Sequence, residues 1–159
     1  MSIKIGDKLP EATFTQMTED GPTPISTADL CAGKTVAIFA VPGAFTPTCS
    51  AKHLPNFKDR LGDLQAQGVD QVACVSVNDV FVMGAWGEAE EAGDILMLAD
   101  GNGDFTEAVG LTLDASGFGM GKRSQRYAML VKDGKVVQLN VDEGGDYKVS
   151  SADYMLDNI

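Results

Sequence analysis

The residue of this chain best suited to chemistry is Cys49, which follows a short loop between a predicted strand and a predicted helix. The strand is the apolar run at residues 35–40, and the loop contains Pro42, Gly43 and Pro47. A cysteine at a helix start meets the positive end of the helix dipole and unpaired backbone N–H groups, and both favour the nucleophilic thiolate. The prolines restrict the backbone, and the glycine permits a close approach. The sequence thus predicts a nucleophilic thiol that the loop fixes in position. The alternative is that Cys49 packs only as a small buried hydrophobic residue.

Two polar side chains could act on the Cys49 sulfur. Thr46 precedes it by three residues, so its hydroxyl could reach the sulfur, although a threonine here could also serve only the turn. Arg126 opens an apolar strand, where it could be an edge charge or, near the sulfur, an anion-stabilising group with several N–H donors. Arg123 competes for the same role, because it lies only three residues away.

His53 and the two other cysteines have less definite roles. His53 would share a helix face with Cys49, so an imidazolium could pair with the thiolate. No carboxylate partner for this histidine is identifiable, and we favour a histidine that packs against the loop. Cys74 lies inside an apolar run and is predicted to be a core thiol, whereas Cys31 has no assigned role. One histidine and three scattered cysteines predict no metal site, and we expect no cofactor.

Composition restricts the partners and the compartment. The formal net charge of -11 would repel phosphate backbones and anionic lipid, so we expect neither nucleic acid nor membrane as a partner. No apolar run approaches the length of a membrane span, and the first residues lack the apolar block of a signal peptide. An odd number of cysteines without close spacing argues against a secreted disulfide scaffold. We therefore expect a cytoplasmic protein.

The order of the predicted elements indicates a single α/β domain covering residues 1–159. Buried strands are predicted at residues 35–40, 71–77 and 95–99, and a peripheral strand at 11–17. The helix after Cys49 is expected to kink at Pro55. The Asp-Gly pair at 133–134 predicts a hairpin, after which Ser151 caps a closing helix. These units compose a thioredoxin-like fold, a central mixed sheet flanked by helices with an inserted strand and helix.

The stretch Pro-Gly-Ala-Phe-Thr-Pro-Thr-Cys-Ser at residues 42–50 resembles the active-site signature Pro-x-x-x-Thr-x-x-Cys of the peroxiredoxins. The longer stretch is similar to the peroxiredoxin-5, or type II, subfamily, as are the segments 75–83, 99–101 and 123–127. The resemblance covers nearly the whole chain and implies a peroxiredoxin-type insertion in the fold. It implies catalytic roles for four residues: Pro42, Thr46, Cys49 and Arg126.

The resemblance also implies an activity. A thiol peroxidase would reduce hydrogen peroxide and alkyl hydroperoxides through a sulfenic acid on Cys49, and glutathione, glutaredoxin or thioredoxin would regenerate the thiol. The alternative is a redox-sensing or binding module of the same fold without significant turnover. A homodimer is implied as well, and the apolar residues Phe45, Phe81 and Phe118 in loop-like stretches are candidates for its surface.

The resemblance leaves open which thiol resolves the sulfenic acid. Cys74 matches the position of a second cysteine in the plant type II proteins, so it is a possible resolving residue. Residues 149–151, Val-Ser-Ser, stand where some animal members carry their resolving cysteine. We expect an external thiol, glutathione with glutaredoxin, to reach an exposed Cys49 sulfenic acid more easily than Cys74 can from a central strand.

Overall fold

The computed structural model describes residues 2–159, and its main sheet has seven strands. In chain order the strands are β1 (Thr13–Thr18), β2 (Gly21–Ser26), β3 (Thr35–Val41), β4 (Gln71–Ser76), β5 (Leu96–Ala99), β8 (Arg126–Lys132) and β9 (Lys135–Asp142). Their order across the sheet is β2-β1-β5-β4-β3-β8-β9. β4 lies parallel to β3 and β5, whereas β8 is antiparallel to β3. A second, two-stranded sheet pairs β6 (Thr112–Asp114) with β7 (Lys122–Ser124).

Within the described part of the chain, six α-helices cover the two faces of the main sheet. They are α1 (Thr27–Cys31), α2 (Leu54–Asp59), α3 (Leu61–Ala66), α4 (Val80–Ala89), α5 (Asp104–Val109) and α6 (Ala152–Asp157). No helix within residues 2–159 combines the length and the apolarity needed to cross a membrane. The layered mixed sheet confirms the predicted thioredoxin-like fold.

The core is divided into two apolar clusters by the sheet, and β3 contributes to both. Ala37 and Phe39 pack in the cluster that includes α2, α3, α4 and α6. Val36 and Ile38 face the cluster that includes α1 and α5. Because successive side chains of a strand point to opposite faces, a continuous apolar run is what a strand buried on both sides requires. This burial makes β3 a rigid support for the loop that follows it.

β2 and the helix after Cys49 differ from the sequence-based expectation. β2, which contains Pro22 and Pro24, was not predicted as a strand, because proline has no N–H for a sheet ladder. It is tolerated here because β2 lies at the edge of the sheet and pairs only with β1. The helix after Cys49 is not one kinked helix but three segments, a π-helix followed by α2 and α3.

Both turn and cap predictions of the C-terminal half are confirmed. Asp133 and Gly134 join β8 to β9 with positive φ angles of 48° and 80°, which is the conformation of a two-residue hairpin turn of type I′. The Ser151 hydroxyl accepts a hydrogen bond from the Tyr154 amide at 3.0 Å and so caps α6. The segment between β9 and α6, residues 143–151, is thereby fixed at its far end.

Candidate active site at Cys49

Cys49 opens a π-helical segment, Cys49–His53, that lies directly before α2. The amide of Leu54 donates to the carbonyl of Cys49, five residues earlier. Pro55 lies in the first turn of α2 and has no N–H, and in a continuous α-helix its ring would clash with the carbonyl four residues earlier. The predicted kink therefore takes the form of a wider helical turn that begins at the cysteine. Such π-bulges are frequent at functional sites.

The loop between β3 and Cys49 is closed by internal contacts. The Thr46 hydroxyl donates to the Gly43 carbonyl at 2.7 Å, so it does not donate to the sulfur. Its oxygen retains lone pairs that can accept a hydrogen bond from a bound molecule. A Cβ at Gly43 would lie 3.0 Å from Met120 Cε and 3.2 Å from Thr46 Cγ2, so a larger residue here would require these side chains to shift. The close approach predicted for this glycine is confirmed.

Arg126, and not Arg123, contacts the sulfur. Arg126 is the first residue of β8, and its Nη2 donates to Cys49 Sγ at 3.1 Å. Its side chain is buried, so its charge acts in a medium that screens less than water. Arg123 instead donates to two backbone carbonyls, from Nε to Met120 at 3.0 Å and from Nη1 to Pro42 at 3.5 Å. The structure thus joins one arginine to the thiol and the other to the loop.

His53 is fully buried behind Arg126. Its Nδ1 accepts from Arg126 Nη1 at 2.9 Å, and its Nε2 lies 2.8 Å from the Ser150 carbonyl oxygen. A guanidinium can only donate and a carbonyl can only accept, so the ring carries its proton on Nε2 and is neutral. Burial, and then the charge of Arg126, lower the pKa of His53 to about 3. The alternative of an imidazolium paired with the Cys49 thiolate is therefore wrong.

Asn78 and Trp86, which sequence reasoning did not single out, anchor the two segments on either side of Cys49. The Asn78 side-chain oxygen accepts from the Ala44 amide at 3.0 Å and so anchors the loop. The Trp86 indole donates to the Ser50 hydroxyl at 3.0 Å and anchors the π-helical segment. The available signal for Asn78 was its position after β4, because the carboxyl ends of parallel strands β3 and β4 meet at one edge of the sheet.

Cys74 lies where the sequence predicted, inside a central strand. Phe39 of β3 and Met97 of β5 are its neighbours across the sheet, and its side chain is fully buried. Burial, and then the neighbouring Cys49, raise the pKa of Cys74 well above the ordinary value for a thiol. Burial likewise raises the pKa of Cys31, to about 11. All three cysteines are free thiols.

Cys49 itself is 0% exposed in the isolated chain. The expectation of an exposed sulfur is therefore wrong for this folded state, because the π-helical segment and the loop close over it. Within residues 2–159, no group of three or more metal-ligating side chains converges. The site is a buried thiol with a cationic donor at 3.1 Å and a hydroxyl acceptor in the adjoining loop. Such a site can stabilise a thiolate and a negative charge that develops beside it.

Comparisons with known proteins agree with this chemistry. A family model described as Redoxin matches residues 4–156. The chain is 52% identical to "Peroxiredoxin-2E-2, chloroplastic" of Oryza sativa subsp. japonica, over 98% of this chain and 72% of the relative. It is 47% identical to Peroxiredoxin-2B of Arabidopsis thaliana, over 97% of this chain and 96% of the relative. The solved structure of reduced Prx3 in complex with H₂O₂ from Vibrio vulnificus matches with a TM-score of 0.95 and 52% identity, covering 98% of both chains.

Proposed function

Because this chain belongs to the peroxiredoxin family, in its peroxiredoxin-5 or type II branch, and is a thiol-dependent peroxidase, we propose that Cys49 is the residue that attacks the peroxide. The observation that carries the proposal is the hydrogen bond of 3.1 Å from Arg126 Nη2 to the buried Cys49 sulfur. The H₂O₂ held by the Vibrio vulnificus relative supports the same substrate here, and alkyl hydroperoxides share its O–O bond.

The contacts support a distinct role for each residue of the site. The Arg126 guanidinium stabilises the Cys49 thiolate and then the charge that moves onto the peroxide oxygens. The Thr46 hydroxyl, whose proton is directed to the Gly43 carbonyl, accepts a hydrogen bond from the O–H of the peroxide and orients it. Pro42 limits the backbone at the loop entrance, and its carbonyl accepts from Arg123.

The proposed reaction is a two-electron oxidation of sulfur. The Cys49 thiolate attacks the terminal oxygen of the hydroperoxide, so an S–O bond forms while the O–O bond breaks. The departing oxygen takes up one proton and leaves as water or an alcohol. Sulfur is oxidised to a sulfenic acid, and the peroxide is reduced. A thiol then attacks the sulfenic acid, water leaves, and a second thiol reduces the resulting disulfide.

We also propose the reductant, the assembly and the compartment. Glutathione, with glutaredoxin, regenerates Cys49 through a mixed disulfide; this proposal is supported by the burial of the other two cysteines. Two copies of the chain form a homodimer, which is supported by three exposed phenylalanines around the loop of the site. A cytoplasmic location stays a prediction, which fractionation of the source cells would test.

A comparison of two cysteine variants with the wild-type protein tests the central proposal. Cys49→Ser should abolish peroxide consumption with every thiol reductant, because an alkoxide is not accessible at neutral pH. Cys31→Ser is the control, since that buried thiol lies in the other core cluster. Rapid multiple turnover by the wild-type protein and by Cys31→Ser, with none in Cys49→Ser, supports the proposal. Turnover by Cys49→Ser above the uncatalysed rate would refute it.

A further inference from the structure

A chain of hydrogen bonds continues behind Arg126, away from the sulfur. His53 accepts from Arg126 on one side of its ring and donates to the Ser150 carbonyl on the other. Each ring nitrogen therefore has one partner, and each partner allows only one protonation state of that nitrogen. If the Ser150 carbonyl moved away, the Nε2–H would lose its acceptor, and only the contact with Arg126 would still hold the ring in this tautomer and orientation. A proton on Nδ1 would face the N–H of Arg126 and remove the acceptor that orients the guanidinium.

The Ser150 carbonyl is held in place by Asp142. The amide and the hydroxyl of Ser150 donate to Asp142 Oδ2 at 3.1 and 2.6 Å. The amides of Lys148 and Val149 donate to Oδ1 at 3.1 and 3.0 Å. Burial alone would raise the pKa of Asp142, but these hydrogen bonds outweigh it and lower the pKa. The carboxylate thus gathers the backbone of residues 148–150 around one point.

Asp142 is also tied to Arg126 through the sheet. It is the last residue of β9, and the register of the hairpin places it opposite Arg126, the first residue of β8. It is 4% exposed, and no ion pair among residues 2–159 includes it. Its hydrogen bonds go to the segment 148–150 and not to the guanidinium. Because these hydrogen bonds hold Ser150, the position of the Ser150 carbonyl depends on Asp142, and so does its hydrogen bond with His53.

We propose that Asp142 is a positioning residue for the peroxidase reaction: it fixes the Ser150 carbonyl, which accepts from His53 Nε2–H and, together with Arg126, holds His53 in the tautomer and orientation that keep the guanidinium on Cys49. The inference rests on the proposed role of Arg126 in the peroxide reaction. Asp142 touches neither the sulfur nor the guanidinium, and it acts through a backbone carbonyl and an imidazole ring. A carboxamide at this position could not serve the same set of donors, because its nitrogen would face an amide N–H.

Nuclear magnetic resonance of the histidine ring tests the first step without measuring activity. His53 is the only histidine of the chain, so ¹⁵N signals of histidine-labelled protein belong to this ring alone. The wild-type protein should show the neutral Nε2–H tautomer at neutral pH. Asp142→Asn should show a mixture of tautomers or the Nδ1–H form. An unchanged Nε2–H signal in folded Asp142→Asn overturns the proposal.

A double-mutant cycle tests the second step. The rate constant of Cys49 oxidation by H₂O₂ should fall about tenfold in Asp142→Asn, less than the loss expected for removal of the direct donor Arg126. In a His53→Ala background the same change should have no further effect, because the path to Arg126 is already broken. Equal losses in both backgrounds contradict the proposal, since Asp142 would then act independently of His53.

A matched control and a milder variant separate this role from general stability. Asp100 is an equally buried carboxylate that accepts from the amides of Phe105 and Thr106 at the start of α5. Asp100→Asn should lower the free energy of unfolding but leave the His53 tautomer and the rate unchanged. If Asp142→Asn does not fold, Ser150→Ala removes one donor to Asp142 and should shift the tautomer in the same direction. An unchanged tautomer in folded Ser150→Ala then counts against the proposal.

The rates of two variants separate this inference from the proposed function on which it rests. A full rate in Arg126→Ala would overturn the proposed function itself. A loss of rate in Arg126→Ala with no loss in Asp142→Asn would overturn only this inference.

Discussion

At the scale of single residues, the site is defined by which groups can only donate and which can only accept. The Arg126 guanidinium can only donate, so both the Cys49 sulfur and His53 Nδ1 act as its acceptors. The types of these residues were readable from the sequence, and so was the place of Cys49. The residue pattern alone left Arg123 as a competitor of Arg126, and only the family resemblance favoured Arg126. In the structure, the register of β8 with β3 brings Arg126 to the sulfur.

The two arginines should differ sharply when each is replaced by alanine. Arg126→Ala should leave a folded protein that lacks the cationic donor to the Cys49 sulfur. Its rate with H₂O₂ should fall by about two to three orders of magnitude, the scale of losing one key electrostatic group. Arg123→Ala is the matched control and should lose much less, since Arg123 contacts only backbone carbonyls of the loop. Stopped-flow measurement of peroxide reduction decides, and a larger loss in Arg123→Ala would show that the roles are reversed.

His53 should make the free energy of unfolding depend on pH. Its pKa is about 3 in the folded chain and about 6.5 when unfolded, so between these values only the unfolded state binds the proton. Stability should therefore be fully present above about pH 6.5 and fall as the pH drops, by up to about 1.4 kcal/mol per pH unit.

The control for this prediction is His53→Gln, which keeps an acceptor for Arg126 but does not titrate. Urea unfolding of both proteins between about pH 5 and 6.5, above most carboxylate titrations, isolates the histidine contribution. The wild-type protein should lose stability across this window, and His53→Gln should lose much less. Parallel curves for the two proteins would mean that His53 titrates normally in the folded state.

At the scale of elements, the sequence predicted what depends on local pattern and missed what depends on neighbours. The apolar runs of β3 and β4 and the Asp133-Gly134 turn were readable, because burial on both faces and a type I′ turn each demand a particular composition. β2 was missed, since only its place at the sheet edge makes its prolines acceptable. The π-helical turn at Cys49 was missed too, because the sequence around Pro55 indicates a kink but not its form.

The element containing each cysteine decides how the sulfenic acid is resolved. Cys74 would have to leave the centre of β4, between Phe39 and Met97, and its raised pKa disfavours the thiolate that must attack. Cys49 lies in a π-helical turn outside the sheet, which side-chain hydrogen bonds such as Trp86–Ser50 hold in place. Opening that turn leaves the strand pairs of the sheet intact, whereas releasing Cys74 would break the pairing of β4 with β3 and β5, so an external thiol should reach Cys49 first.

Mass spectrometry of Cys74→Ser after one equivalent of peroxide and an excess of glutathione tests this order. Glutathione should be found on Cys49, and turnover with glutathione and glutaredoxin should equal that of the wild-type protein. Cys31→Ser serves as the control for loss of an uninvolved buried thiol. Lost turnover in Cys74→Ser alone, together with a Cys49–Cys74 disulfide in the oxidised wild-type protein, would make Cys74 the resolving residue.

At the scale of the whole molecule, the apolar surface around the site is what a second copy would cover. Phe45, Phe81 and Phe118 are 54, 66 and 86% exposed. Phe45 lies in the loop of the site. Phe81 lies three residues after Asn78, which anchors that loop. Phe118 lies two residues before Met120, whose side chain lies against Gly43. Phe81 lies in the first turn of α4. The expectation that it lies in a loop is therefore wrong.

We therefore expect a homodimer whose stability depends on Phe81 and on salt. Each chain carries a formal charge of -11, so two copies repel, and added salt should strengthen their association by screening. Phe81→Asp should shift the protein toward monomer. It should not destabilise the fold, because an acidic residue in the first turn of a helix is favourable.

Val137→Asp, at an exposed apolar position on the outer strand β9, is the control and should stay dimeric. Sedimentation at about ten micromolar, a working range for a micromolar interface, gives the result. A wild-type monomer at this concentration, or equal dissociation of both variants, would place the phenylalanines outside any dimer contact.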